Sequence, residues 1–203
     1  MGMHALWPTL SVSPYVTELD WSPLAYSALE TNRHLFLPPA EEGGNTAASF
    51  PNRFDGLLVL QLRRGDFAAH CARLRELHLD FNAYSRFAGF ADPWVPPADG
   101  EADVVYARRC WPSLADVVRK VAAVRRTRAG AGLDSVYVMT NGDAAWAAAL
   151  ERALVREFAW ARVATSRDAV WTWEERFVSQ AMDMLVAERA QVFVGNGVGG
   201  RVP

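Results

Sequence analysis

The chain has 203 residues and carries 21 Lys and Arg against 23 Asp and Glu, a formal net charge of −2 at pH 7. That near-balance argues against a protein held to nucleic acid or to an anionic membrane by bulk charge. Hydrophobic residues make up 51% and charged residues 22%, the composition of a folded globular chain long enough to bury a core without disulfides. The two cysteines, Cys71 and Cys110, therefore make no framework; they either pair in an oxidising compartment or are two buried thiols. No apolar run approaches the roughly 20 residues of a transmembrane helix. Residues 1–10 lack the basic-then-apolar layout of a signal peptide.

Pro8, Pro14 and Pro23 among Trp7, Tyr15 and Trp21 suit an irregular or partly helical lead-in, and the small, polar, Gly and Pro residues of 38–52 mark a loop or linker. Residues 1–52 are read accordingly, with an organised domain over 53–203. It opens with Phe54-Asp55-Gly56-Leu57-Leu58-Val59-Leu60-Gln61-Leu62, whose continuous apolar run is that of a strand buried on both faces, stopping at Arg63-Arg64-Gly65-Asp66. A short one-sided helix is predicted over 68–79. Residues 80–107, interrupted by Pro93, Pro96, Pro97 and Gly100, read as a loop pinned by Phe81, Tyr84, Phe87, Phe90 and Trp94. Ser113 with Asp116 predicts a capped helix carrying Leu114, Val117, Val118, Val121 and Val124, ending in the basic residues 125–128.

A strand over 134–140 follows, then the turn Asn141-Gly142 and a helix over 144–158 capped by Asp143. Another short strand is predicted over 160–165. Thr172 and Glu175 form a capping-box pattern before a stripe of Phe177, Val178, Ala181, Met182, Leu185 and Val186, and 191–194 make a last strand before Gly195-Asn196-Gly197. Strands alternating with helices of this length imply an α/β, Rossmann-like open parallel sheet with helices on both faces, whose ligands bind at the carboxyl ends of the strands.

Two strand exits carry residue types suited to chemistry. At the first, arginine offers a planar fork of donors for phosphate oxygens, with Asp66 three residues beyond Arg63 to hold it. The same residues equally fit an Arg/Asp surface pair in an ordinary loop. At the second, Gly195, Gly197, Gly199 and Gly200 would let backbone N–H groups approach a phosphate, against the alternative of a frayed tail. His70-Cys71 and His78 match no standard zinc spacing, so no metal is expected. Asp183, beside Met182, is placed at the solvent edge of its stripe.

Taken in order, Trp21-Ser22-Pro23, then Leu62-Arg63-Arg64-Gly65-Asp66-Phe67 with His70-Cys71, then Val136-Tyr137-Val138-Met139-Thr140-Asn141-Gly142, and last Ser179-Gln180-Ala181-Met182-Asp183-Met184 leading to Val192-Phe193-Val194-Gly195-Asn196-Gly197, resemble the GDP-fucose protein O-fucosyltransferase family, especially its fungal members. The similarity covers roughly 21–200. It implies one half of a fold of two Rossmann-like domains facing across a cleft (a GT-B fold), namely the second, donor-binding half. It also implies an inverting, metal-independent transfer of fucose from GDP-fucose to a Ser or Thr hydroxyl of a folded acceptor protein, in the secretory pathway.

By position, Arg63 matches the family arginine that grips the β-phosphate and stabilises the leaving GDP, Asp66 the acid that supports it, and Asp183 the helical aspartate near the guanine. Gln61 stands where the family usually has a histidine that contacts the donor sugar. Val198-Gly199-Gly200 stands where an aromatic and two hydroxyl residues usually follow the glycine equivalent to Gly197, so Gly197, Gly199 and Gly200 are the candidate phosphate-loop positions. The family's amino-terminal domain, which supplies the general base, and its last helix are expected to be missing from this chain. The alternative implied is a truncated module that at most binds a nucleotide.

Overall fold

The computed structural model describes residues 3–18, 20–37, 52–81, 93–98 and 100–196. Most of the predicted linker, the anchors Tyr84, Phe87 and Phe90, and the candidate positions Gly197, Gly199 and Gly200 lie outside these residues.

Strands β1 (Phe54–Gln61), β2 (Ser135–Met139), β3 (Arg162–Thr165) and β4 (Ala190–Gly195) pair in parallel in the order β3-β2-β1-β4. The register sets Gln61 opposite both Met139 and Gly195, so three strands end at one level. As the apolar run predicts, β1 is central and buried on both faces, and its side chains alternate between two cores. Leu57 and Val59 face one side with Tyr137 and Met139, under helices α3 (Pro23–Thr31) and α8 (Ser179–Arg189). Leu58 and Leu60 face the other with Val136, Val138, Val192 and Val194, under α6 (Leu114–Arg125) and α7 (Ala144–Glu157). This is a Rossmann-like α/β sheet flanked by helices on both faces.

The helix starts follow the predicted caps. Ser113 Oγ accepts the Asp116 N–H while an Asp116 oxygen accepts the Ser113 N–H, and Asp143 Oδ1 accepts the Trp146 N–H. Two features depart from the sequence reading. The stretch read as a loop contains α5 (Ala102–Cys110), which packs on α4 (Phe67–Glu76) through Leu74, Trp94 and Tyr106. Phe177 leaves its predicted stripe for a 3₁₀ turn, Glu175–Val178, where it is 76% exposed. Cys71 on α4 and Cys110 on α5 form a disulfide, which resolves the open question of their pairing.

Two short helices precede α3: α1 (Met3–Leu10) and α2 (Pro14–Thr17). Within the sequence's lead-in, α3 buries Ala25, Ala28 and Leu29 against the sheet core. Its attachment is polar as well as apolar. Glu175, 1% exposed, accepts the hydroxyls of Ser27 at 2.9 Å and Thr31 at 3.0 Å on one oxygen and the Thr172 N–H at 3.0 Å on the other. Those bonds, with the Thr172 backbone first, hold its carboxyl below the ordinary glutamate range. A depressed carboxyl favours the folded state above its unfolded pKa, and the contribution is lost as pH falls below about 4.3. Glu175→Ala removes the shared acceptor of three charge-assisted hydrogen bonds whose donors sit on exposed residues, so water replaces it in part. Urea unfolding at neutral pH is expected to show a loss of about 1–3 kcal/mol, with the gap between variant and wild type narrowing toward pH 3.

Candidate functional site

A parallel strand leaves its carboxyl end with peptide groups that neighbouring strands pair only in part. Beyond β1 the ladder runs one step further, with the Leu62 N–H donating to Met139 O at 2.9 Å; then side chains take over. The Thr140 hydroxyl donates to Leu62 O at 2.7 Å. Asn196, directly after β4, accepts the Arg63 N–H on Oδ1 at 3.0 Å, and its amide nitrogen donates to the carbonyls of Arg63 at 3.3 Å and Cys110 at 2.8 Å. Asn141, after β2, accepts the Arg64 N–H on Oδ1 at 2.6 Å and donates to Asp66 Oδ1 at 3.3 Å. The turn that follows β1 is thus gripped from both neighbouring strands. Gly65 supplies the left-handed backbone it needs, at φ 59°, and a Cβ there would lie 3.1 Å from the Asn141 amide nitrogen.

This turn stands where the strand order reverses, because the chain runs from β1 outward to β2 and β3 and then returns to place β4 on the other side of β1. Open parallel sheets bind ligands at such a switch point, outside the carboxyl ends of the strands. The two arginines at the switch point differ sharply. Arg64 lies between the indoles of Trp111 and Trp146, its guanidinium carbon 4.1 and 4.5 Å from their ring centres, and donates to Pro112 O at 3.0 Å. Burial lowers its pKa, a cost that the two ring faces and the carbonyl offset. It is part of the packing. Arg63 keeps a half-exposed guanidinium, 3.6 Å from Asp66 with side chains 53% and 75% exposed, and 5.4 Å from the Phe67 ring centre. A pair so exposed contributes little energy and leaves the fork available to an incoming anion.

The other predicted site residues are distributed differently. Gln61 lines a separate cleft of about 970 Å³ on the α8 side of the sheet, with Trp21, Met139, Met184, Glu188 and Phe193. Arg63, Asp66 and Asp183 do not line it. Within the Trp21-Ser22-Pro23 motif, Ser22 caps α3 and the Trp21 indole N–H donates to Glu188 at 2.7 Å, tying the lead-in to α8. Asp183 is partly buried at the margin of its apolar stripe, and accepts the hydroxyl of the fully buried Tyr137 at 2.8 Å. His78 adopts φ 52° and ends α4, letting the Leu79 N–H reach Leu74 O at 2.9 Å; the His70 ring packs 4.8 Å from that of Phe67. Among the described residues no group of three or more His, Cys, Asp or Glu is placed to hold a metal, and no helix is long and apolar enough to cross a membrane.

Sequence reasoning missed Asn141 and Asn196 as the clamps of the turn. A usable signal was present, since each strand neighbouring β1 exits into Asn-Gly. No protein-family model matches this chain, and no curated protein is a significant match.

Burial raises the Asp183 carboxyl to about 6, while the Tyr137 hydroxyl acts in the opposite direction. A carboxyl whose pKa rises on folding stabilises the protein below its unfolded value, 3.8, and this contribution is lost as pH climbs through 6. Asp183→Asn keeps an acceptor for Tyr137 and removes the titration. Urea unfolding at about pH 4.5 and 7.5 is expected to show wild type losing about 2 kcal/mol that the variant retains.

Proposed function

We propose that this chain holds the diphosphate of a nucleotide sugar at Arg63. The motif resemblance names that donor as GDP-fucose, and the chain as the donor-binding half of an O-fucosyltransferase-like protein. The observation that carries the reading is the exposed Arg63 guanidinium on a backbone clamped by Asn141 and Asn196, at the switch point of a parallel sheet. A departing diphosphate accumulates negative charge, and a guanidinium held in advance stabilises it without reorganisation. The reading rests on Arg63 rather than on Asp183, whose carboxylate already accepts the Tyr137 hydroxyl.

Transfer of the sugar also requires a base within hydrogen-bond reach of the acceptor hydroxyl. The carboxylates that follow β1, β2 and β3 are engaged in the fold: Asp66 with Arg63 and Asn141, Asp143 as the cap of α7, and Asp168 with the Thr165 N–H and hydroxyl. That engagement favours a second reading, a catalytically inactive Rossmann-like module that at most binds a nucleotide.

Calorimetric titration with GDP, with UDP as control, tests the proposal. Saturable binding of GDP in preference to UDP is expected, weakened in Arg63→Ala by about 1.5–3 kcal/mol, a factor of roughly 10–150 in affinity. Because the Arg63 side chain is half exposed, the variant is expected to unfold at the wild-type temperature. Unchanged GDP affinity in Arg63→Ala removes the site assignment.

A further inference from the structure

The disulfide sits close to the Arg63 turn in both chain and space. Cys71 lies on α4, which begins at Phe67, directly after the turn. Cys110 ends α5, and its carbonyl is the acceptor that orients the Asn196 amide at 2.8 Å; Asn196 then takes the Arg63 N–H at 3.0 Å. The next two residues hold Arg64, Trp111 by its ring face and Pro112 by its carbonyl. Three consecutive residues, 110 to 112, therefore support the backbone and one side chain of the turn, and the bond to Cys71 fixes where they stand.

The disulfide belongs to neither of the two cores that hold the sheet. Cys71 and Cys110 belong to a third, smaller cluster with Leu74, Trp94 and Tyr106, and neither cysteine packs in the clusters on the two sheet faces. Beside the disulfide, α5 meets α4 in that small cluster and in the exposed Arg75–Asp103 pair at 3.4 Å, and the Tyr106 hydroxyl donates to Leu79 O, just past α4, at 2.7 Å. The bond links positions 39 apart in sequence, outside the two cores that hold β1, β2 and β4 with their helices.

We propose that the Cys71–Cys110 disulfide is a positioning element of the anion site: intact, it holds residues 110–112 so that Asn196 presents the Arg63 turn, and its reduction lowers the affinity of that turn for a diphosphate. The inference rests on the Arg63 reading above. The step is a two-electron exchange with a dithiol. A reagent thiolate attacks one sulfur to give a mixed disulfide, its second thiol displaces the protein sulfur, and the products are two cysteine thiols and the oxidised reagent.

The test combines calorimetry with amide hydrogen exchange on the full chain, oxidised and dithiol-reduced, with Asn196→Ala as a variant that keeps the disulfide. Reduction is expected to weaken GDP and pyrophosphate binding by about tenfold to a hundredfold, and Asn196→Ala in the oxidised chain to do the same. Reduction of Asn196→Ala is then expected to cost little more, because both changes break one linkage; a purely structural disulfide would give additive losses. Exchange is expected to accelerate at the Arg63 and Arg64 amides on reduction while the amides of Leu58 to Leu60 stay protected. Equal affinity in both redox states, or additive losses, overturns the proposal. If the oxidised chain binds no anion, the Arg63 reading fails on its own, and the exchange measurement still decides whether the disulfide positions the turn: unchanged Arg63 and Arg64 exchange refutes it.

Discussion

The peptide group of Arg63 leaves a strand whose ladder has ended, and it has to find partners where no strand can offer them. Two asparagines supply them. An asparagine side chain carries the same donor and acceptor as a peptide, so Asn141 and Asn196 extend the ladder by one residue on each side of β1. Because Asn196 also reaches the end of α5, this set of bonds joins β2, β1, β4 and α5 at one point. The turn is held by hydrogen bonds to its backbone, with Arg64 and Asp66 adding side-chain contacts and Gly65 allowing the close approach of Asn141.

That arrangement separates the tasks of two adjacent arginines. Arg64 spends its charge on two indole faces and a carbonyl, and so joins α7 to the residues after α5. Arg63 inherits a fixed backbone and keeps its fork in solvent. Preorganisation of this kind lowers the entropy lost on binding, because the main chain is ordered before the ligand arrives. A flexible Arg-Arg turn of the same composition would have to order itself around the anion.

The opposite face of the sheet is held by buried polar groups. Glu175 gathers two hydroxyls of α3, and Asn32, fully buried, donates to Ala28 O and Val170 O and accepts the Val170 N–H. Each such group is stable only with its partners in place, so these bonds fix how the early chain lies on the sheet as well as adding stability. Tyr137 and Asp183 form a similar link between β2 and α8. Here burial works against the charged carboxylate, and its raised pKa is the measure of that conflict.

The sequence by itself determined the sheet and its capped helices. The unbroken apolar run of β1, the Ser113 and Asp143 caps and the alternation of strand and helix are local patterns, and local patterns survive into the fold because burial and capping act within a few residues. It also indicated that the exit of β1 carries the exposed cation. What it left undetermined required distance in sequence. Arg63 and Arg64 are alike in the chain, and only the arrival of Trp111 and Trp146 from separate elements distinguishes them. Asn141 and Asn196 read as ordinary turn residues until the parallel register places both beside Arg63. Helix α5 was hidden because proline and glycine before it outweighed a weak apolar pattern that is completed by packing against α4, and the Cys71–Cys110 pair is decided by that same packing. Tertiary structure settled these points because each is an approach of residues tens of positions apart, and no periodicity in a single stretch of sequence encodes such an approach.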